Sequence, residues 1–373
     1  MKKILILSLF TFTTLASEIV YLGRSARAAL MGDAWTALAN NDEMTLFYNP
    51  ASLGGNDSIA ISPLNPKFGL TNALAEADRF KNFPKDPALV VDRLLGFPIY
   101  AEVSAFPGLK MMRFGFNLFV TNKLSLNLRN RVHPSFEIDY RYDRGFTTGF
   151  AFNIIGGRGL KGKKIGDGQR LSIGYGLKYI RREGLKDSFD VFGTGLLNKI
   201  EAGFEDINDI KEAFGFAEGK AFGHDLGVEY AVGNGTTEIV SGLSILNVGD
   251  IQFRKLSGTS DVPKQDMYIN AGVAFKQDFT FFDYALSMDI KPINAPIPVG
   301  RMIHAGAMLN IPFISLYGGM SEGYLSYGAE VRLFPIKLVV GFYDVELATE
   351  FKEEQGKRAL IYLSLLDAEF DIF

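Results

Sequence analysis

Residues 136–143 read FEIDYRYD, and their alternation determines the kind of fold that the sequence predicts. Phe136, Ile138, Tyr140 and Tyr142 are apolar or aromatic, and the residue that follows each of them is charged. Successive side chains of a β-strand point to opposite faces. The stretch therefore predicts a strand that separates an apolar environment from a polar one.

The same two-residue alternation recurs from about residue 113 to the C-terminus. Clear examples are 146–154, 171–179, 269–276, 282–290 and 325–333. Alternating segments of about ten residues are typical of transmembrane barrels with a polar lumen. The sequence therefore predicts an all-β protein, a transmembrane antiparallel β-barrel.

A soluble β-sandwich or a lipocalin-like barrel would alternate in the same way, but three features favour a membrane barrel. The segments exceed the five or six residues of most globular strands. Tyrosines crowd the ends of the apolar faces, as interfacial girdles do; they are Tyr140, Tyr142, Tyr179, Tyr284, Tyr343 and Tyr362. Tight turns at 278–279, 311–312 and 334–335 also alternate with long connections. The long connections are 155–169, 193–221, 247–266, 291–299 and 348–357, and we expect them to be outer loops.

The alternation alone does not give a single number of strands. About fifteen segments qualify, with 135–143 and 146–154 counted as separate strands. A barrel whose two chain ends lie in the periplasm needs an even number. Either a short strand near 186–192 makes sixteen, or one candidate does not belong to the wall.

Composition excludes several classes of function. The 373 residues are 47% hydrophobic, have a formal net charge of −3 and include no Cys. The charge gives no reason to expect a nucleic-acid partner. Without Cys, a disulfide framework, a thiol nucleophile and a thiolate metal site are excluded. The sequence has no run of 18 apolar residues, so helical membrane spans are not expected.

The N-terminus predicts export. Lys2 and Lys3 precede an apolar stretch from 4 to 15, and Thr14 and Ala16 are small residues before a cut at Ser17. This order is the pattern of a signal peptide, and a buried N-terminal helix is the alternative. We therefore assign residues 1–16 to a signal peptide, 17–56 to an N-terminal plug, and 57–373 to a barrel of the bacterial outer membrane.

Two segments read as helices rather than barrel wall. Residues 24–40 are rich in Ala, the strongest helix former, and predict a helical plug in the lumen, or else a periplasmic tail. Residues 193–217 carry apolar side chains at three- and four-residue spacing. That apolar face could cap the barrel, contact lipid headgroups, receive a partner protein or pack on neighbouring loops. Residues 71–95 form a weaker case.

Residues 23–39 read GRSARAALMGDAWTALA, and NPA follows at 49–51. This order resembles the opening of the PorV/FadL-like superfamily of outer-membrane barrels. Residues 303–306 and 317–324 are similar to late strands of PorV-like and TraF-like barrels. The resemblance implies about fourteen strands and an N-terminal segment that plugs the lumen. The plug residues that it implies, with Trp35 chosen alongside the motif, are Trp35, Asn49, Pro50 and Ala51. Asp33 stands where a second Gly is common, which predicts a shifted turn.

Catalysis finds little support in the sequence. His133, His224 and His304 lie on separate segments, so no metal site is predicted, and no cofactor is expected. The Gly- and Lys-rich stretch 156–164 lacks the spacing of a phosphate loop and is interpreted as an outer loop. Several polar side chains are predicted to face the lumen and hold it together as pairs: Glu137, Asp139, Arg141, Asp283, Asp289, His304, Glu330 and Arg332.

Two functions remain open at this point. FadL-type members pass long-chain fatty acids or other hydrophobic compounds, which implies passive uptake with a plug that must shift. PorV-type members assist protein secretion, which implies outer loops that bind exported proteins or a secretion complex. The expected partners are therefore outer-membrane lipid and either a hydrophobic small molecule or an exported protein.

Overall fold

A computed structural model describes residues 18–72, 93–129, 135–156, 167–190 and 214–371. Their strands are β1 (Ser58–Ser62), β2 (Pro66–Thr71), β3 (Ile99–Ala105), β4 (Gly108–Met111), β5 (Phe114–Arg129), β6 (Ser135–Ile155), β7 (Asp167–Asp190), β8 (Ala217–Asn234), β9 (Thr237–Leu246), β10 (Arg254–Gly258), β11 (Tyr268–Asp278), β12 (Asp283–Ile290), β13 (Ile303–Ile311), β14 (Ile314–Ser321), β15 (Tyr324–Leu333), β16 (Ile336–Glu346), β17 (Gln355–Leu365) and β18 (Ala368–Asp371). Helical turns are α1 (Ala26–Leu30), α2 (Val299–Met302) and 3-10 helices at Ala39–Asn41, Thr45–Phe47 and Pro50–Gly55.

Fourteen strands close into an antiparallel ring, so the expected number is confirmed. The ring runs β2–β3–β5–β6–β7–β8–β9–β11 and continues in chain order from β12 to β17, which pairs with β2. Three short strands extend the wall at one end: β1 precedes β2, β4 follows β3 and β18 follows β17, each across a short break. The tail expected after residue 366 thus contributes a short strand, β18.

The prediction of two strands at 135–143 and 146–154 is wrong. Both belong to β6, a single strand of 21 residues. β6 pairs without interruption through this region with β5 on one side and β7 on the other. Because the two neighbours supply ladder partners on both sides, Gly145 continues the strand instead of turning. Merging these two candidates removes one from the expected fifteen, whereas β2 (Pro66–Thr71), a strand of the ring, was not predicted.

The two ends of the barrel differ in their connections. The turn end carries the hairpin connections 235–236, 279–282, 312–313 and 334–335, together with the start of β1 and the end of β18. The loop end carries the connections 291–302 and 347–354 and the long path from β9 through β10 to β11. One expectation is wrong: β6 ends and β7 begins at the turn end, although the connection at 155–169 is expected among the outer loops. Residues 157–166 of that connection lie outside the described residues.

The wall is inside-out compared with a soluble protein. Along β8 the exposed side chains are Phe222, Leu226, Val228, Tyr230 and Val232, at 39–62% exposure. His224 shares this exposed face and lies 2.7 Å from the Tyr175 hydroxyl, whereas the alternate residues, including the buried Asp225 and Glu229, point into the lumen. From residue 222 to 232 the strand rises about 33 Å along its length, which is about 25 Å along the axis at the usual tilt. An outward apolar band of this height matches the hydrocarbon core that such barrels cross.

The N-terminal residues 18–57, which we name the lumenal segment, lie inside the ring. Their side chains are mostly buried, and their polar partners are inward-facing wall residues of β12–β17 and β6–β9. The continuous helix expected over 24–40 is wrong, since α-helix covers only Ala26–Leu30. Gly32 and Asp33 follow with φ of 62° and 60°, the left-handed region that an α-helix cannot continue through.

Three sequence expectations fall outside the described residues. They are the signal peptide at 1–16, nearly all of the helical candidate at 193–217, and most of the candidate at 71–95. In the described part of the chain, no helix has the length and apolar character needed to cross a membrane.

Candidate functional site: the lumen around the lumenal segment

One side of the lumenal segment is held by polar wall residues of β12 and β13. The Asp289 carboxylate is fully buried and accepts the backbone N–H groups of Trp35 and Thr36 at 2.9 and 2.8 Å. His304 has one ring nitrogen 2.9 Å from the carbonyl oxygen of Gly32 and the other 3.2 Å from that of Lys291. The backbone N–H groups of an irregular segment have no partners from a helix or sheet. A buried carboxylate that accepts them satisfies these donors.

Asp33 is the centre of an ion cluster on the same side. Its carboxylate lies 3.0 Å from Lys291 Nζ and 3.5 Å from Arg24 Nε, and Tyr48 donates its hydroxyl to it at 3.1 Å. Burial alone would raise the pKa of Asp33, but the Lys291 and Arg24 cations outweigh it and hold that pKa at about 2. Asp therefore fits where a second Gly is common, because its side chain completes the cluster and Asp tolerates a positive φ.

Arg27 joins the segment to the later strands. Its guanidinium donates to the Glu330 carboxylate on β15 at 2.6 Å and lies 3.7 Å from Glu43 within the segment. Glu330 is 1% exposed and also accepts the hydroxyl of Tyr317. A buried ion pair is costly to break from one side only, since the remaining charge would stay unpaired. Arg27 and Glu330 therefore tie α1 to the wall.

The opposite side of the segment packs closely on β7 and β8. Asn49 caps the 3-10 helix Pro50–Gly55 by accepting the N–H of Ala51 at 3.1 Å, and it donates to the Val228 carbonyl at 3.3 Å. A Cβ at Gly227 would stand 2.1 Å from Asn49 Oδ1. The wall can approach the Asn-Pro-Ala motif this closely because Gly has no side chain there.

A cavity of about 210 Å³ opens between the lumenal segment and the loop end. Its apolar lining includes Val20, Tyr21, Tyr100, Tyr343 and Leu347. Its charged lining includes three ion pairs: Glu18 with Arg358 at 2.6 Å, Arg129 with Glu137 at 3.0 Å, and Arg141 with Asp139 at 2.7 Å. Lys123 also lines it and donates to the backbone carbonyls of Tyr21 and Leu22. We name it the outer cavity.

A second cavity of about 200 Å³ lies on the turn-end side of the same segment. Arg27, Asp42 and Glu43 line it from the segment, and Lys110 and Asp367 line it from the wall. Burial raises the pKa of Asp42 to about 6, and the adjacent Glu43 carboxylate adds to the shift. We name it the inner cavity. The lumenal segment contributes residues to both cavities and lies between them.

The structure places the predicted lumenal residues in two groups. Glu137, Asp139 and Arg141 line the outer cavity, while Asp289, His304 and Glu330 contact the lumenal segment. Asp283 and Arg332 lie near the turn end, where Asp283 accepts from Asn310 at 2.6 Å and Arg332 donates to the Ile311 carbonyl. These two contact neither the segment nor the outer cavity through any described bond. Trp35, Asn49 and Ala51 have 0% exposure, and Pro50 is buried beside them.

Sequence reasoning missed Lys291, Arg27 and Ser326. Lys291 lies in the stretch 291–299, which the sequence predicts as a loop. Its buried side chain nevertheless continues the inward register of Asp289, two residues earlier. Ser326 shares the inward register of Glu330, and it accepts the Gly32 N–H at 2.9 Å. Extending the two-residue alternation by one further position at the end of the strand would have predicted that Lys291 faces the lumen. Among the described residues, no three His, Asp or Glu side chains group closely enough to hold a metal ion.

A closed antiparallel ring with an apolar outer band and a charged interior defines the class of protein: an outer-membrane β-barrel. No family model matches the sequence, and no curated protein matches it. Among solved structures the chain is similar to the CymD monoaromatic hydrocarbon channel, with 12% identity and a TM-score of 0.46 over 94% of this chain and 98% of that one. It is also similar to the P. putida toluene transporter TodX, with 11% identity and a TM-score of 0.43 over 95% and 99%.

Proposed function

We propose that this barrel is a passive uptake route for small hydrophobic solutes, gated by the lumenal segment as a plug. The observation that carries the proposal is the pair of cavities on opposite sides of one segment. A solute bound in the outer cavity would reach the inner cavity only if residues 18–57 shift. Binding, rearrangement and release then need no energy source beyond a concentration gradient.

The chemistry of the outer cavity supports an aromatic or similarly compact solute. Apolar cavities of about 150 Å³ hold a benzene-sized molecule, and the outer cavity measures about 210 Å³. Tyr21, Tyr100 and Tyr343 offer ring faces and edges to such a solute. Three ion pairs within the lining, together with the hydrogen bonds of Lys123 to backbone carbonyls, lower the cost of placing an apolar molecule beside these charges. A long fatty-acid chain would need more room than this cavity has.

The protein-binding alternative rests on the segment 193–217 and the outer loops. That segment lies almost wholly outside the described residues, and the described contacts favour no exported protein as a partner. A pull-down from intact outer membranes remains its test. Recovery of a stoichiometric protein partner together with unchanged solute uptake in a plug mutant would move the assignment to a secretion scaffold.

The uptake proposal is tested by deleting residues 24–50 and measuring uptake of labelled ethylbenzene and palmitate into cells that lack other routes. We expect ethylbenzene uptake to rise in the deletion variant and to exceed palmitate uptake in the intact protein. Barrel folding is checked by its heat-dependent migration on gels. Unchanged uptake in a folded deletion variant would contradict the plug, and equal rates for both solutes would contradict the size argument.

A further inference from the structure

The outer face of the barrel carries a row of four cations on adjacent strands. Arg144 of β6 is directly opposite Arg181 of β7, which is opposite Lys220 of β8, which is opposite Arg254 of β10. Residues paired in this way project from the same face of the sheet. We name these four residues the cationic row. Adjacent strands are about 4.8 Å apart, so the row is about 14 Å long.

The row sits immediately above the apolar band. Two residues nearer the turn end on the same three strands, Phe146, Tyr179 and Phe222 are directly opposite one another. The ring centroids are 5.8 Å apart for Phe146 and Tyr179 and 5.2 Å apart for Tyr179 and Phe222. Aromatic residues in such positions mark the boundary between hydrocarbon and headgroups. The cationic row is therefore at the height of the headgroups, and it lies on the loop-end side of the band. Since long loops face outward in these barrels, this is the outer leaflet.

Protein carboxylates compensate only part of this charge. Glu183 and Glu218 occupy the next row toward the loop end, and Glu218 accepts from Arg144 at 3.0 Å and from Arg181 at 2.5 Å. Four cations and two carboxylates leave an excess of two positive charges. Among the described residues, the side chains of Lys220 and Arg254 form no hydrogen bond or ion pair, and both are exposed. Like charges directly opposite each other destabilise a sheet unless something neutralises them.

We propose that the cationic row binds the phosphate groups of a phosphorylated glycolipid headgroup in the outer leaflet. The row is long enough for two phosphates, and Arg forks match phosphate oxygens bidentately. The aromatic row beneath would contact the upper acyl chains of the same lipid. This inference does not rest on the proposed transport function, because it concerns the outer face and not the lumen.

The test is binding of diphosphoryl lipid A to the purified full-length barrel, measured by native mass spectrometry in a zwitterionic detergent. The variant is Lys220→Gln/Arg254→Gln. The matched control is Lys255→Gln/Lys264→Gln, which removes the same charge at the loop end but outside the cationic row. Lys255 is on the same strand as Arg254 but on its other face.

We expect the row variant to bind diphosphoryl lipid A roughly tenfold or more weakly, and the control to stay within about twofold of the wild type. Monophosphoryl lipid A should bind the wild type more weakly than the diphosphoryl form, and added salt should weaken both. Equal losses in the row variant and the control would overturn the proposal. Wild-type binding of phosphatidylcholine as tight as that of lipid A would overturn it as well. Heat-dependent gel migration confirms that each variant is folded.

Discussion

The two sides of the lumenal segment are attached to the wall by different means. Toward β12–β15 the attachment is polar: Asp289 holds the backbone at 35–36, and Lys291 holds Asp33. Toward β7 and β8 no ion pair joins the segment to the wall among the described residues, although Ser52 donates to Glu229. Close glycine packing occurs on both sides: Gly227 and Gly174 contact residues 49–51, and Gly306 and Gly319 contact residues 31–32. Water can replace hydrogen bonds and ion pairs, whereas it cannot replace tight backbone packing without leaving a void. We therefore predict that residues 31–38, whose ion pairs and carboxylate contacts water can replace, move more readily than residues 49–57, the base of the segment.

The strongest way to break this contrast is to lock each side with a disulfide, since the chain has no Cys. Thr36→Cys with Gly272→Cys locks the polar side, where Thr36 Cβ is 3.1 Å from an ideal Cβ at 272. That Cβ is also 2.1 Å from Asp289 Oδ1, so the carboxylate must rotate aside, and the reduced double variant is the reference for uptake. Gly54→Cys with Ser172→Cys locks the base, where the corresponding separation is 2.6 Å and must widen by about 1 Å to reach disulfide geometry. Its reduced form is again the reference. We expect oxidised 36–272 protein to lose roughly tenfold or more of solute uptake and to regain it on reduction. The 54–172 pair should keep its uptake. Equal inhibition by both locks would show that the base moves too.

Removing the central acceptor should release the polar side. Asp289→Ala leaves the N–H groups of Trp35 and Thr36 without their acceptor. Each unsatisfied buried donor destabilises the docked segment by about 1–3 kcal/mol. We expect hydrogen exchange at residues 33–38 to accelerate and uptake to rise. Asp289→Asn retains an acceptor oxygen and should show a smaller change. If hydrogen exchange at residues 33–38 were as slow in Asp289→Ala as in the wild type, Asp289 would not be what holds the segment.

A matched pair of glycine substitutions probes the packed side. Gly227→Ala puts a Cβ 2.1 Å from Asn49 Oδ1, and we expect it to destabilise docking of residues 49–55 by about 1–3 kcal/mol. Gly318→Ala is the control, because nothing lies within 4 Å of its Cβ. Hydrogen exchange of 49–55 reports the difference. Similar exchange in both variants would remove close packing as the basis of this side's rigidity.

The smallest predicted effect is a pH dependence. The pKa of Asp42 is about 6 in the docked segment, against 3.8 when it is free in water, so the docked state binds a proton that the released state does not. Docking is then favoured as pH falls from 7 to 5, by about 1 kcal/mol. Asp33, with its pKa lowered to about 2, stays ionised in both states over this range and opposes docking only below about pH 4. Exchange of residues 40–45, corrected for intrinsic rates, should slow at pH 5, and Asp42→Asn should abolish the dependence.

The sequence was most informative where one physical rule dominates. Alternation alone predicts the strands, because lipid outside and polar contacts inside leave no other pattern. It failed at Gly145, where the neighbouring strands extend the ladder through a residue that reads as a turn. Ala content wrongly predicted one long helix at 24–40, since wall contacts at Gly32 and Asp33 override propensity. The partners of the segment could not be predicted, because they depend on strand register across most of the chain.

That separation in sequence also constrains how the protein is assembled. The lumenal segment directly precedes the first strand, yet Arg27 pairs with Glu330 and Glu18 pairs with Arg358, over 300 residues later. Neither partner is in place until the last strands join the first and the ring closes. The lumenal segment thus acquires its native contacts late, and its buried charges must remain hydrated until then. High contact order of this kind slows folding, so plug insertion and ring closure should occur as one coupled step.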